Sequence, residues 1–419
     1  MGRSFRNGQQ SRVTLITALL ACLPVATLLV CPSVVVAERS GPTASTTVTR
    51  STSAAGRSRL ERIVELIDAS NAPNLIGRER WGELLTLHRP KIERASSHRR
   101  FAEAVNALLK ASGVSHFSYF TKDDWYYWHL VSTFDGGGRD TRVAHIGLFP
   151  QRIGTRWFVR GILEGSVADA ANIRVGDELL TVDGRPFGPV RSFEGKEGKP
   201  VRLRLRRKPE LIYNITVTPV KESLYEAVQR AVVRSVRTLQ YEDYRYAYLH
   251  GWTLLGDARE YWKLLEMQDE VDGLLLDYRD GLGGYAGRGR GFLFGPLGEH
   301  RHWTKPTVIL IADGTRSAKE ILVHEAQQRG RAPLVGTPTP GHVTSIAAVR
   351  RVGKDGLLML PRRTMELEGH PTQPDHLIER DIRFCAGADP QLERAKKILA
   401  ERIRASRQPG SLAPASEQR

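Results

Sequence analysis

The pattern of apolar and polar positions divides the chain into contrasting stretches. An apolar run extends from Val13 to Ala37, and residues 38–57 follow it with Ser, Thr and Gly and no apolar period. Between Leu60 and Leu109 the apolar residues recur every three or four positions, which predicts helices. From Ala144 to about Val220 the pattern becomes strand-rich, with clean alternation in two segments. With 419 residues and these contrasts, the chain is expected to form two or three domains.

The second half of the chain alternates between buried strands and helices. A helix is predicted from about Leu224 to Leu239, and continuous apolar strands follow at Gly273–Asp277 and Thr307–Ile311. Each of these strands leads into a glycine-bearing turn, and residues 317–327 after the second fit a helix. Buried strands that alternate with helices predict an α/β core. We therefore expect a multi-domain α/β chain with a helical N-terminal module, a β-rich domain and an α/β core.

The N-terminal apolar run has the features of an export signal. Three arginines within the first twelve residues precede it, and it ends in Val35-Val36-Ala37, small residues that a signal peptidase accepts. The prediction is a periplasmic or secreted protein that starts near Glu38. Two alternatives stay open. Residues 13–37 are long enough to remain as a membrane anchor, and Leu19-Leu20-Ala21-Cys22 resembles a loose lipoprotein box.

Charge and cysteine content exclude several classes of function. The formal net charge is +16, but the basic residues are spread along the chain and no nucleic-acid motif accompanies them, so no nucleic-acid partner is expected. Cys22 and Cys31 lie in the apolar N-terminal run, which leaves Cys385 without an internal disulfide partner and excludes a cysteine-based zinc site. The His324-Glu325 pair lacks a second ligand, so neither a metal nor another cofactor is expected.

The β-rich stretch contains an ordered series of turns. Residues 159–187 read VRGILEGSVADAANIRVGDELLTVDGRPF. This segment resembles the PDZ domains of bacterial proteases, and the resemblance implies binding of an extended peptide at a sheet edge. The upstream Ile146-Gly147-Leu148 is similar to the loop whose backbone N–H groups bind a ligand carboxylate. A module that packs structurally and binds no chain terminus is the alternative. The matching features, in order, are Gly165-Ser166, a short helix at 168–171, Gly176-Asp177 and Asp183-Gly184.

A candidate nucleophile follows the second apolar strand of the core. Residues 305–321 read KPTVILIADGTRSAKEI and place Ser317 between this strand and a helix. A serine at a helix N-terminus has an exposed Oγ, and the amides nearby can bind an oxyanion. The segment resembles the Thr-x-Ser-Ala-x-Glu turn of the carboxy-terminal processing (tail-specific) serine peptidases, in which Ser317 matches the nucleophile. The resemblance implies a peptidase core related to ClpP and crotonase.

Other segments extend this resemblance. Residues 277–284 read DYRDGLGG and are similar to the stretch whose glycines donate to the oxyanion in that family. By this resemblance, the oxyanion donors are Gly283, Gly284 and Ala318. Downstream, residues 336–341 (GTPTPG) and Pro374-Asp375 fit the same family.

The activating base is the main departure from the family. Many members pair the serine with a lysine about 25 residues later, and His342 stands at that position here. Tricorn-like relatives instead carry a Ser-His pair after the helical module and a glutamate shortly before Pro-Asp, which Ser115-His116 and Glu368 match. An imidazole with an ordinary pKa near 6.5 can accept the Ser317 proton at neutral pH. His116 oriented by Ser115 or Glu368, His342, or no working base are the three hypotheses.

The sequence therefore predicts an exported serine endopeptidase that binds extended or C-terminal polypeptide segments and forms an acyl-enzyme on Ser317. A catalytically inactive pseudoprotease that acts as a peptide-binding scaffold is the alternative, and a ligand-binding relative of the same fold is a third possibility. The predicted boundaries are 1–37 for the signal peptide, 38–57 for a disordered linker, 58–135 for the helical module, 140–220 for the PDZ-like domain, 221–404 for the catalytic core and 405–419 for a disordered tail.

Overall fold

The computed structural model describes residues 51–134, 141–295 and 302–408, without the side chains of residues 51–56 and 347. All of these residues fall in one compact unit, Thr49–Arg419. The predicted signal peptide, most of the predicted linker and most of the predicted tail lie outside the described residues. Within the described ranges, no helix combines the length and apolar character that crossing a membrane requires.

Among the described residues, the first region contains five helices, and the first four pack around one apolar cluster. The helix His98–Ala111 is capped by Ser97, whose Oγ accepts a hydrogen bond from the Arg100 N–H at 3.2 Å. The same helix buries Phe101, Val105 and Leu108 at helical spacing. The elements are α1 (Ser51–Asp68), α2 (Ala72–Ile76), α3 (Arg78–Glu93), α4 (His98–Ala111), β1 (Ser118–Thr121) and α5 (Trp125–Phe134).

The second region is rich in strands. A sheet has the strand order β3-β4-β5-β7-β8, with β6 beside β5, and β2 pairs separately with β9. Strand β7 shows the predicted alternation, because Val201, Leu203 and Leu205 are buried while Arg202 and Arg204 are exposed. The elements are β2 (Val143–His145), β3 (Leu148–Ile153), β4 (Arg156–Ile162), α6 (Val167–Ala170), β5 (Glu178–Val182), β6 (Arg185–Pro186), β7 (Val201–Lys208), β8 (Leu211–Val217) and β9 (Val220–Glu222).

The third region contains a six-stranded sheet and its covering helices, so the chain has the expected mixed α/β fold. The strand order is β10-β11-β12-β13-β14-β17, parallel from β11 onward. A separate hairpin, β15-β16, pairs with β1 of the helical region. The elements are α7 (Leu224–Ser235), β10 (Arg237–Tyr241), β11 (Tyr244–His250), α8 (Arg259–Met267), β12 (Gly273–Asp277), α9 (Ala286–Phe294), β13 (Thr307–Ile311), α10 (Ala318–Gln328), β14 (Leu334–Gly336), β15 (Ser345–Val352), β16 (Gly356–Arg363), β17 (His376–Leu377) and α11 (Pro390–Arg407).

The two central strands of this sheet are covered on both faces. Every residue of β12 and β13 is buried. One face packs against an apolar cluster that includes residues of α7 to α10, and the other packs against α11. Because parallel strands end at the same sheet edge, the turns after β12 and β13 lie close together. This edge brings residues 280–284 next to Ser317.

A buried ion network fixes the turn after β12. Arg279 is 4% exposed, and its guanidinium donates to the Asp277 carboxylate at 2.8 Å and to the Asp389 carboxylate at 2.8 Å. Gln391 accepts a further bond from Arg279 at 3.0 Å. The network joins the end of β12 to the start of α11.

Replacement of Arg279 by Leu should lower the free energy of unfolding by about 3–5 kcal/mol, because Asp277 and Asp389 would remain buried without their partner. Urea denaturation followed by tryptophan fluorescence measures this change. Arg259→Leu is the control, since the Arg259–Asp257 pair is more than half exposed and its loss should cost less than about 1 kcal/mol. Equal stability of the two variants would show that the buried network contributes nothing.

Candidate active site

Ser317 occupies a strained position directly before α10. Its φ of 59° and ψ of −126° lie in a region that L-residues rarely adopt, and such a conformation costs about 1–3 kcal/mol. Its N–H donates to the carbonyl oxygen of His342 at 3.0 Å, which helps to hold the bend. The side chain is half-buried and lies against Gly283. A Cβ added to Gly283 would come within 2.5 Å of the Ser317 Cβ and 3.0 Å of its Oγ, so only glycine fits there.

The backbone N–H groups predicted as oxyanion donors have no hydrogen-bond acceptor in the described part of the chain. Within residues 51–134, 141–295 and 302–408, no acceptor is found for the N–H of Gly283, Gly284 or Ala318. The Gly283 carbonyl oxygen is fixed instead, because it accepts bonds from the Leu254 N–H at 2.8 Å and the Thr253 Oγ1 at 3.0 Å. Free N–H groups on both sides of a serine can bind the oxyanion of a tetrahedral intermediate. The three N–H groups that the family resemblance implied therefore have no acceptor among the described residues, and of the two glycines Gly283 lies directly against Ser317.

A chain of hydrogen bonds joins His116, Ser115 and Glu368. The Ser115 Oγ donates to Glu368 Oε2 at 3.0 Å and lies 3.1 Å from His116 Nδ1. Because the single hydroxyl proton of Ser115 is directed at the carboxylate, its oxygen accepts from His116 Nδ1–H. This assigns the tautomer of the ring and leaves His116 Nε2 free to accept a proton. The structure thus brings together residues that are 253 positions apart in the chain.

The Glu368 carboxylate also binds the loop before β15. It accepts bonds from the N–H groups of Ser115 at 3.0 Å, Val343 at 2.8 Å and Thr344 at 2.7 Å. Burial alone would raise the pKa of Glu368, but these hydrogen bonds outweigh it and hold the pKa below its ordinary value. Glu368 is therefore a carboxylate that fixes Ser115 relative to the loop. A second carboxylate, Glu320, holds the same loop through the N–H groups of Gly341 at 2.6 Å and His342 at 2.7 Å.

His342 is placed differently from His116. The Arg316 guanidinium donates to His342 Nδ1 at 3.0 Å, so that nitrogen acts as an acceptor. In the neutral ring the proton then lies on Nε2, which cannot serve as a base. Burial and the charge of Arg316 both lower the pKa of His342. Within the part of the chain that the structure describes, Ser317 Oγ forms no hydrogen bond with the ring of His116 or of His342.

The environment of His116 keeps its ring neutral. Burial, together with the positive charge of Arg316, lowers the pKa of His116 to about 4, although Glu368 acts in the opposite direction. His116 also has a φ of 55°, in the left-handed region that residues other than glycine seldom adopt. The imidazole is consequently unprotonated throughout the neutral range, as a base must be.

The predicted peptide-binding loop faces the interior. Ile146 and Leu148 are only 1% and 5% exposed. The Gly147 N–H donates to His145 Nδ1 at 3.0 Å, and a Cβ on Gly147 would overlap Ser166. One amide of the expected carboxylate-binding loop therefore already has a partner.

A cleft of about 980 Å³ lies beside this loop, between the helical region and the β-rich region. Its walls include the outer edge of β3, residues 186–189 and the start of α5. The segment between β6 and β7 contributes turns and no helix to this wall. The sequence pattern did not predict this cleft. The aromatic lining residues are Phe120, Trp125, Tyr126, Phe149, Trp157 and Phe187.

Serine-type peptidases combine a serine beside free N–H donors with an imidazole that a carboxylate orients through hydrogen bonds. The sequence profile of peptidase family S41 matches residues 294–383, which include Ser317, His342 and Glu368. The carboxy-terminal processing protease CtpA of Bacillus subtilis (strain 168) is 24% identical over 213 residues, 43% of each chain. These matches confirm the resemblance to the carboxy-terminal processing serine peptidases, and the alignment spans less than half the length of this relative.

Two solved protease structures are also similar to this chain. The crystal structure of the tricorn protease matches with 18% identity and a TM-score of 0.44 over 77% of this chain and 34% of that chain. A photosystem II D1 C-terminal processing protease matches with 16% identity and a TM-score of 0.47 over 84% of this chain and 98% of that chain.

The pH dependence of Ser317 reactivity should reflect the buried ring. An ordinary imidazole would lose its function below about pH 6.5, but His116 has a pKa of about 4. Because a base must be unprotonated, the rate of labelling by a serine-reactive phosphonate should stay constant from pH 6.5 to 5 and fall as the pH drops through about 4. A midpoint near 6.5 would contradict this burial of His116.

Proposed function

We propose that this chain is a serine endopeptidase that hydrolyses peptide bonds in extended polypeptides through an acyl-enzyme on Ser317, with His116 as the general base. The observation that carries the proposal is the hydrogen-bond chain from Glu368 through Ser115 to His116 Nδ1. It leaves Nε2 as the free nitrogen of an imidazole that is neutral at physiological pH. The match to peptidase family S41 over residues 294–383 supports the same reaction class.

In acylation, Ser317 Oγ attacks the carbonyl carbon of the scissile bond while its proton moves to His116 Nε2. The imidazolium that forms keeps its Nδ1 proton, which makes a hydrogen bond to the Ser115 Oγ, while the Ser115 hydroxyl makes a hydrogen bond to the Glu368 carboxylate. The negative charge that develops on the substrate oxygen is bound by the free N–H groups of residues 283 and 318. His116 then protonates the leaving amine, and a water molecule activated by the same ring hydrolyses the ester.

The cleft between the helical and β-rich regions is the proposed receiving surface for the polypeptide. Strand β3 is an edge strand, so a peptide can add to its outer side. Phe149 and Trp157 lie in the cleft wall and offer apolar contact to the side chains of such a peptide. Since the Gly147 N–H is engaged by His145, we assign the main contact to the β3 edge, with the loop Ile146-Gly147-Leu148 anchoring the start of that strand.

The N-terminal sequence supports action outside the cytoplasm. Arginines followed by the apolar run 13–37 and Val35-Val36-Ala37 fit an export signal, with cleavage, anchoring and lipidation as the possible fates. The substrates would then be polypeptides that lack stable structure, because a bond must reach Ser317 in extended form. We propose that the C-terminal parts of such chains are the segments processed, in line with the name of the relative from Bacillus subtilis.

Variants of the site test the reaction. Ser317→Ala and His116→Ala should each lower kcat on an unfolded protein substrate by about 10⁴-fold or more, because nucleophile and base act as a unit. His342→Ala should retain activity within about tenfold, since its Nδ1 is engaged by Arg316. The measurements are substrate turnover and phosphonate labelling of Ser317. Loss of activity in His342→Ala but not in His116→Ala would move the base to residue 342. Absence of labelling in the wild type would favour the pseudoprotease alternative.

Peptide binding has its own test. Peptides with apolar C-termini should quench the fluorescence of Trp125 and Trp157 with a Kd of roughly micromolar or weaker, because strand addition buries little area. Amidation of the peptide terminus should weaken binding less than about threefold, because the Gly147 N–H is already in use. A proline in the middle of the peptide should abolish binding, since it cannot donate to a strand. Strong dependence on the free carboxylate would instead assign the contact to the loop 146–148.

A further inference from the structure

Lys319 is a buried charged residue that the mechanism above does not use. It is the second residue of α10, two positions after Ser317, and it is 0% exposed. Its Nζ donates to the backbone carbonyl oxygen of Asp280 and lies 5.9 Å from the centroid of the Tyr278 ring. In the described part of the chain, no carboxylate lies within ion-pair distance of this ammonium. The Asp280 carboxylate pairs with Arg160 instead.

An ammonium in this environment is costly to the fold. Burial of a charged amine without a counterion disfavours its charged form, and the pKa of Lys319 is lowered to about 7 by burial, although Asp280 and Asp277 oppose the shift. A methionine of similar length would fill the same space without this penalty. A residue that reduces stability beside a functional site is a candidate for a functional role.

The partner of Lys319 belongs to the turn that forms the oxyanion hole. Asp280 begins residues 280–284, whose Gly283 contacts Ser317. Backbone bonds hold the far side of this turn, from Leu282 N–H to the Trp252 carbonyl oxygen and from Leu254 N–H to the Gly283 carbonyl oxygen. Lys319 holds the near side and is attached to the helix that carries the nucleophile. The side chain therefore links the two elements that supply oxyanion donors.

We propose that Lys319 is a positioning residue of the oxyanion hole. Its ammonium group holds the turn 280–284 against the start of α10, and it also adds positive charge beside the developing oxyanion. The proposal rests on the proposed role of Ser317 as nucleophile. Positive charge in a dry site stabilises nearby negative charge far more than in water. Three groups with ionisable side chains face Lys319: Asp277, Tyr278 and Asp280. The charged or titratable groups around the two aspartates are Arg160, Arg279 and His250.

In this proposal the protonated form of Lys319 supports catalysis, so kcat should be higher at low pH than at high pH. Lys319 carries its charge below a pKa of about 7 and loses it above. In the wild type, kcat should fall as the pH rises through about 7. Lys319→Met should lower kcat about 10- to 100-fold, change KM less than about threefold, and abolish this alkaline fall. Its Tm should equal or exceed that of the wild type, because a costly buried charge has been removed.

Lys305→Met is the matched control. Lys305 Nζ also donates to a backbone carbonyl oxygen, that of Val271 at 2.6 Å, but at the opposite end of the sheet. It should leave kcat and the pH profile unchanged. A lowered Tm in Lys319→Met with an intact alkaline fall would assign a structural role only and overturn the proposal, as would unchanged kcat.

A second readout does not depend on turnover. With ¹⁵N-labelled glycine, the amide resonance of Gly283 should titrate with a midpoint near 7 in the wild type and in Lys305→Met, but not in Lys319→Met. A Gly283 resonance that does not titrate in the wild type overturns the role of Lys319, whatever the activity. Absence of Ser317 labelling in a wild type whose Gly283 does titrate would contradict the proposed peptidase function and leave the link between Lys319 and the turn standing.

Discussion

The Glu368 carboxylate is the interaction on which the assembly of the site depends. Its oxygens accept bonds from the N–H and hydroxyl of Ser115 and from the N–H groups of Val343 and Thr344. A partly buried carboxylate needs such donors, and here they come from the helical region on one side and the loop before β15 on the other. Pairing of β1 with β16 supports the same junction. The orientation of the His116 ring depends on this junction, because the Ser115 hydroxyl that bonds His116 Nδ1 is itself held by Glu368.

The electrostatic surroundings of His116 and His342 differ, and the difference favours His116 as the candidate base. Arg316 lies beside both rings and lowers both pKa values, yet it donates only to His342, whose free nitrogen then carries the proton. His116 has a low pKa, which makes it a weak base in the resting enzyme but an unprotonated one at all neutral pH values. Negative charge that forms on the substrate oxygen during the reaction would raise its basicity when a proton must be taken.

The local pattern of apolar residues predicts much of the α/β core, but it predicts little of how the secondary-structure elements contact one another. The strands Gly273–Asp277 and Thr307–Ile311 have the predicted bounds, because a strand buried on both faces needs a continuous apolar run. The helix predicted from Leu224 to Leu239 ends at Ser235, since residues 237–241 pair with β11, a contact that helical periodicity does not encode.

The candidate site, like the junctions of the fold, could be predicted only in part from local sequence. Ser115, His116 and Glu368 were recognisable only through resemblance to tricorn-like relatives, because no local pattern connects residues 253 positions apart. The burial of Lys319 was not predictable, since a lysine after a helix start is usually solvated. Its carbonyl partner on Asp280 exists only once β12 and β13 lie side by side.

The distribution of the site along the chain has a consequence for how such an enzyme is made. The proposed base comes from residue 116, the proposed oxyanion donors from residues 283 and 318, the proposed nucleophile from residue 317 and the orienting carboxylate from residue 368. A ribosome delivers these groups from the N-terminus onward, so the imidazole precedes its carboxylate by most of the synthesis time. Under the proposed mechanism, Ser317 would stay unreactive until the last of these segments has emerged and packed against the first. Completion of the fold would then be the event that activates the enzyme, and unfinished chains would be protected from self-digestion.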